Sequence, residues 1–80
     1  MALNKEQALS RVYGLIQQAS GLPAEKIGQH DSLINDLALD SVELIDLLMQ
    51  LEEYNIVIPE SQVNSQLTAD RLAAYFTNDL

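Results

Sequence analysis

The segment Asp40-Ser41-Val42-Glu43-Leu44 is where residue type and spacing point most directly to chemistry. It sets a serine hydroxyl in the first turn of a predicted helix. On either side stands a carboxylate, one able to cap the helix and one able to reach back to the cap. A serine with no neighbouring base is a weak nucleophile. The context of Ser41 is neither G-x-S-x-G nor S-x-x-K, and the sole histidine, His30, has no supporting pattern around it. The same hydroxyl is well placed to be modified by another protein. The free amides of a first helical turn, together with the helix dipole, favour a phosphate attached there. Asp40 opposes this with its own charge, unless the modifying enzyme brings a divalent cation that uses the carboxylate. The plain alternative is that Asp40 only caps and Ser41 is an ordinary first-turn residue, and the D-S-x-E tetrapeptide alone does not separate the two.

Other chemistries find less support. Asp31, Asn35, Asp36 and Asp40 lack the spacing and central glycine of a calcium-binding helix–loop–helix, so no metal site is expected. Paired carboxylates need an enclosing cleft that a small helical chain hardly provides. Three scattered glycines make no phosphate loop. The chain is therefore not expected to be a free-standing enzyme, and no residue is assigned a catalytic role.

Composition narrows the class. Eighty residues make one small domain, taken as 1–80, with a modest core. There is no cysteine for disulfides or thiolate metal sites, so stability must come from well-patterned helices. Twelve acids face four bases, and no base lies between Lys26 and Arg71. Such a surface repels nucleic acid and anionic lipid and attracts basic partners, or it simply keeps a small protein soluble. No secretory signal and no membrane-length apolar run are found, which makes a cytoplasmic monomer the expectation.

Around the serine the pattern is all-α. Asn4 and Gln7 have capping-box spacing, and Ala8, Val12, Leu15, Ile16 and Ala19 follow as one apolar stripe until Gly21 and Pro23 stop the helix. From Leu22 to Leu39 no period survives; Ile27, Leu33, Ile34 and Leu37 read as anchors of a long structured loop, with a short helical turn near Pro23–Lys26. The second helix starts at Asp40 and runs to about Tyr54. An apolar connector, Ile56-Val57-Ile58, leads to Pro59 and a short turn near Ser61–Ser65. A last helix begins after Thr68 and turns Leu72, Ala73, Tyr75 and Phe76 inward.

On the second helix, Glu43, Asp46, Gln50 and Glu53 share an arc of about 80°, while an apolar arc of about 220°, interrupted only by Glu52, holds the rest. A helix facing a core needs only about 100° of apolar surface. Either its neighbours nearly enclose it, or part of the arc is exposed for partners. Val42 and Met49, at the edge beside the acids, are the candidate contacts, with a core role as the alternative for both.

The run Asp36-Leu37-Ala38-Leu39-Asp40-Ser41-Val42-Glu43-Leu44 resembles the phosphopantetheine attachment motif of acyl carrier proteins, written D-L-G-x-D-S-L. Leu51-Glu52-Glu53 and Ile58-Pro59 are similar to further signatures of that family, and the likeness covers nearly the whole chain. The resemblance implies an antiparallel bundle of three main helices plus one short helix, with a long loop between the first two. It implies that Ser41, supported by Asp40, takes a covalent 4′-phosphopantetheine from coenzyme A through a phosphopantetheinyl transferase. Val42, Glu43, Asp46, Met49, Glu52 and Glu53 match the family's partner-binding helix. The partners would be acyl-transfer, ketosynthase and related biosynthetic enzymes with basic patches.

Ala38 stands where the motif has glycine, which leaves the turn before Ser41 less free to take a positive φ, and Val42 replaces leucine. The stretch between Glu53 and Pro59 is shorter and more apolar than in housekeeping fatty-acid carriers. These departures point to a specialised fatty-acid or polyketide-type pathway. The alternatives are an aminoacyl or peptidyl carrier, or a helical interaction module that never carries pantetheine.

Overall fold

The structure is a computed structural model and describes residues 3–77. It has three α-helices: α1, Lys5–Ser20; α2, Ser41–Glu52; and α3, Ala69–Thr77. Two single 3-10 turns, Ala24–Lys26 and Glu60–Gln62, stand at or beside the short turns expected near Pro23–Lys26 and Ser61–Ser65. The described residues contain no strand, only an isolated bridge between Ser32 and Thr68.

The ends of α1 follow local rules. The Asn4 side chain accepts from Gln7 N at 2.8 Å, and Gln7 Oε1 accepts from Asn4 N at 3.2 Å. Gly21, at φ 78°, turns the chain out of the helix while its N–H donates to Gln17 O. Ala8, Val12, Leu15 and Ile16 are buried, and they pack α1 against both α2 and α3.

The long loop is stitched down, which is why it can hold a site. Ile27 and Leu33 are buried. Leu33 N donates to Leu67 O at 3.0 Å, and Asp70 N to Gln29 O at 3.0 Å, so the loop runs against the start of α3. The Asp31 carboxylate accepts from Gly28 N at 3.1 Å and occupies the space a Cβ at residue 28 would need. Of the four expected anchors, Ile27 and Leu33 are core and Leu37 packs against it, whereas Ile34 is only half-buried and lies outside the core cluster.

The second helix closes earlier than expected, at Glu52, and residues 53–55 form a turn. Asn55 takes φ 63°, a left-handed conformation that asparagine tolerates better than most residues. Asn55 N donates to Glu52 O and Ile56 N to Leu51 O, with Leu51 and Ile56 both buried beneath the turn. Tyr54 then lies edge-on to Phe76 at 5.5 Å between centroids, under the Arg11 guanidinium at 5.1 Å. The start of α3 is capped by Thr68 Oγ1, which accepts from Arg71 N at 3.2 Å.

Asp70 joins three elements. Its carboxylate pairs with Lys5 Nζ at 2.7 Å and accepts from Gln29 Nε2 at 2.8 Å. The hydrogen bond from Lys5, and then that from Gln29, hold its pKa below the usual carboxylate range. A carboxylate depressed in the folded state stabilises the fold above its unfolded pKa of about 4, and that stabilisation is lost as pH falls through the lower folded value. Both partners are partly exposed, so the effect is about 0.5–1 kcal/mol. Urea unfolding of Asp70→Asn should show that deficit near neutral pH and converge on the parent as pH falls through the lowered folded-state value; a deficit independent of pH would remove the ion pair as its cause.

Candidate functional site

Ser41 is the first residue of α2, and its position is fixed from the loop side. Asp36 Oδ2 accepts from Ser32 N at 2.7 Å, and Ser32 Oγ accepts from Asn35 N at 3.1 Å. Asp36 N and Leu37 N both donate to Ser32 O, and Leu39 N donates to Leu33 O at 3.0 Å. Leu39 is buried, so the chain is anchored two residues before the serine. Between those fixed points Ala38 adopts φ 56°. The turn takes the positive φ despite the alanine, because the bonds on either side leave no other path.

That conformation costs a non-glycine residue about 1–2 kcal/mol. Ala38 is exposed, so its methyl contributes no packing to offset the strain. After allowance for the greater freedom of glycine in the unfolded chain, Ala38→Gly should stabilise the fold by about 0.5–1 kcal/mol. A urea midpoint that falls on this substitution would show that the turn is not strained.

The cap is the expected one. Asp40 Oδ1 accepts from Glu43 N at 2.8 Å, and Glu43 Oε1 accepts from Asp40 N at 3.0 Å. Ser41 is exposed, and neither its hydroxyl nor the N–H groups of Ser41 and Val42 has a hydrogen-bond partner among the described residues. Two free donors at the positive end of the helix dipole suit a phosphate ester on this hydroxyl, so the residues present fit a phosphopantetheine group. His30 sits beside Asp70 at the start of α3, where its charge helps lower that carboxyl's pKa.

The width of the apolar arc is resolved by burial. Leu47 and Leu51 are buried and Leu44 and Leu48 half-buried, whereas Val42, Ile45 and Met49 are 74, 56 and 60% exposed. They form a stripe at i, i+3 and i+7. With Ala19 of α1, Glu43 and Asp46 they line a shallow groove of about 310 Å³. Asp46, Glu52 and Glu53 are exposed around it, while Glu43 is half-buried and engaged in the cap. Of the residues singled out on this helix, Val42, Glu43, Asp46 and Met49 line one groove, and Glu52 and Glu53 are exposed at the helix end.

Ile45 is the exposed apolar residue of this groove that sequence reasoning did not single out. Its signal was Glu52, the charge that interrupts the apolar arc. A charged residue marks the side facing water, and Ile45 lies only about 20° from it around the helix.

A family model described as "Phosphopantetheine attachment site" matches residues 10–76. The chain belongs to this family of carrier domains. It is similar to the protein named acyl carrier protein of Acidothermus cellulolyticus, 28% identical over 98% of this chain and 94% of that protein. It is similar also to the acyl carrier protein of Thermotoga maritima, 26% identical over 96% of each. The meromycolate extension acyl carrier protein of Mycobacterium leprae is 24% identical over 94% of this chain and 66% of its own length. As an acyl carrier protein domain, the chain carries a covalently attached 4′-phosphopantetheine and is not an enzyme. The family works with a phosphopantetheinyl transferase and with biosynthetic enzymes. Among the described residues no helix of the carrier domain is long and apolar enough to cross a membrane.

Proposed function

We propose that residues 1–80 form a single carrier domain in which Ser41 bears the 4′-phosphopantetheine arm and α2 presents it to successive enzymes. The observation that carries this reading is the exposed Ser41 hydroxyl, without a hydrogen-bond partner, beside two free first-turn amides and within the matched region. The group supplies a terminal thiol that holds an acyl cargo as a thioester, a thiol this cysteine-free chain does not otherwise possess.

Asp40 has two roles in this reading. It fixes the helix start through Oδ1, and its other carboxylate oxygen is available to a divalent cation that a transferase brings with coenzyme A. Val42, Ile45 and Met49 supply the apolar contact, and Asp46, Glu52 and Glu53 form the acidic rim that orients partners with basic patches, among them ketosynthase and acyl-transfer enzymes. The pathway we infer is a specialised fatty-acid or polyketide-type one in the cytoplasm, on the strength of Ala38 and Val42 where the motif has glycine and leucine.

Incubation of the chain with coenzyme A, magnesium and a broad-specificity phosphopantetheinyl transferase, followed by intact-mass measurement, tests the reading. A gain of one phosphopantetheine supports it. No gain with several transferases would leave α2 as the docking face of an unmodified interaction module.

A further inference from the structure

The groove that begins next to Ser41 is not made by α2 alone. Val42, Glu43, Ile45, Asp46 and Met49 line it from α2, but Ala19 stands in the last turn of α1. That turn is firmly held. Ser20 Oγ donates to Ile16 O at 2.6 Å and accepts from Leu22 N at 3.2 Å, and Gly21 N donates to Gln17 O at 2.8 Å. Ala19 is half-buried and packs against the core, so this wall belongs to the bundle itself. Its side chain is one methyl group, and a longer one would project into the hollow that the methyl leaves open.

At about 310 Å³ the hollow stands at the lower end of the roughly 300–1,000 Å³ of small-molecule sites. Being shallow as well, it suits one side chain of a partner better than a free ligand. Ala19, Val42, Ile45 and Met49 make its lining apolar, while Glu43 and Asp46 add two carboxylates. Neither carboxylate forms an ion pair among the described residues, and no base lies between Lys26 and Arg71. Asp46 Oδ2 accepts at 3.3 Å from the amide of Gln50, whose own oxygen is buried, and Asp46 Oδ1 has no partner among the described residues. The apolar lining therefore calls for an apolar side chain, and the carboxylates for a cation next to it.

On the reading that α2 presents Ser41 to a phosphopantetheinyl transferase, we propose that this groove receives a side chain of that enzyme. The occupant is a large apolar residue set beside a Lys or Arg, seated between Ala19 of α1 and the stripe of Val42, Ile45 and Met49. Ala19 then limits which partners dock, and the recognition surface extends onto α1. The opposite arrangement, in which the stripe projects into a hollow of the enzyme, gives Ala19 no role.

Two substitutions separate these arrangements. Ala19→Leu fills the groove, and Gln17→Leu adds apolar bulk at an exposed position of α1 outside it. Apo-protein is the substrate for loading, so the arm itself does not compete for the groove. Loading over a range of carrier concentrations should give a kcat/KM roughly tenfold lower for Ala19→Leu, through KM, and parent values for Gln17→Leu. Equal kinetics for Ala19→Leu and the parent overturn the proposal. Methyl spectra of the unsubstituted apo-protein decide the matter even where Ala19→Leu does not fold. On addition of transferase without coenzyme A, the Ala19 methyl signal should shift with those of Val42 and Ile45; an unmoved Ala19 signal overturns the proposal. A dimer of the parent in sedimentation that Ala19→Leu abolishes would overturn it too, in favour of a second copy in the groove. A parent that gains no mass with any transferase sinks the attachment reading as well, so the two failures are distinguishable.

Discussion

Ser41→Ala should abolish loading by a phosphopantetheinyl transferase and leave the free energy of unfolding unchanged to within about 0.5 kcal/mol. The separation is possible because the serine contributes nothing local to the fold. Its hydroxyl is exposed and without a partner among the described residues, and the helix start is held by Asp40 and Glu43. Alanine at a first-turn position is at least as good a helix former. Asp40→Ala offers the contrast: it removes the side-chain acceptor for Glu43 N and should cost about 1 kcal/mol. Intact mass and urea unfolding on the same samples read both effects. Mass gain in Ser41→Ala would place the attachment on another hydroxyl and sink the assignment, whatever the unfolding shows.

Ile45→Glu should weaken productive encounter with the transferase by roughly 10–30-fold in kcat/KM, through KM rather than kcat, because it sets a charge in the centre of the apolar stripe. The fold should tolerate it, since Ile45 is 56% exposed. The neighbouring Leu47→Ala, at a fully buried position, should instead cost about 2–5 kcal/mol, which so small a domain can hardly absorb. Charge reversal at Asp46 or Glu53 acts differently again. It slows association at low salt, and the deficit shrinks as salt screens the rim. Glu43 is the wrong place to reverse charge, because its carboxylate bonds to Asp40 N and the substitution would disturb the helix start as well. Loading rates over a range of carrier concentrations at two ionic strengths separate these cases. Unchanged kinetics for Ile45→Glu would remove this face of α2 from the recognition surface.

Glycine's absence at residue 38 and isoleucine's presence at residue 45 show where sequence reasoning reached and where it stopped. The motif foretold a turn that wants positive φ, and Ala38 was expected to resist it. The turn forms all the same, because Asp36, Leu37 and Leu39 are tied to Ser32 and Leu33, and those bonds outweigh about 1–2 kcal/mol of backbone strain. The ties run between residues close in sequence. Their strength, however, depends on Leu33 being anchored to Leu67, which composition does not reveal. The end of α2 has a similar cause. Helical pattern continues to Tyr54, but burial of Ile56 beneath Leu51 draws the chain into a left-handed turn at Asn55.

The sequence by itself determined the helices, their caps and the serine. Capping boxes at Asn4 and Asp40, the apolar period of α1 and the stop at Gly21 act over three or four residues, so each is written in a short stretch of chain. Only the tertiary structure decided which part of α2's broad apolar arc is core and which is surface. A period reports that residues share a side of a helix, but not how much of that side its neighbours cover. Here Leu47 and Leu51 are sealed within the core that α2 shares with α1, while Val42, Ile45 and Met49 stay exposed. The same packing buries the Gln50 oxygen, because burial is set by contacts between segments distant in the chain.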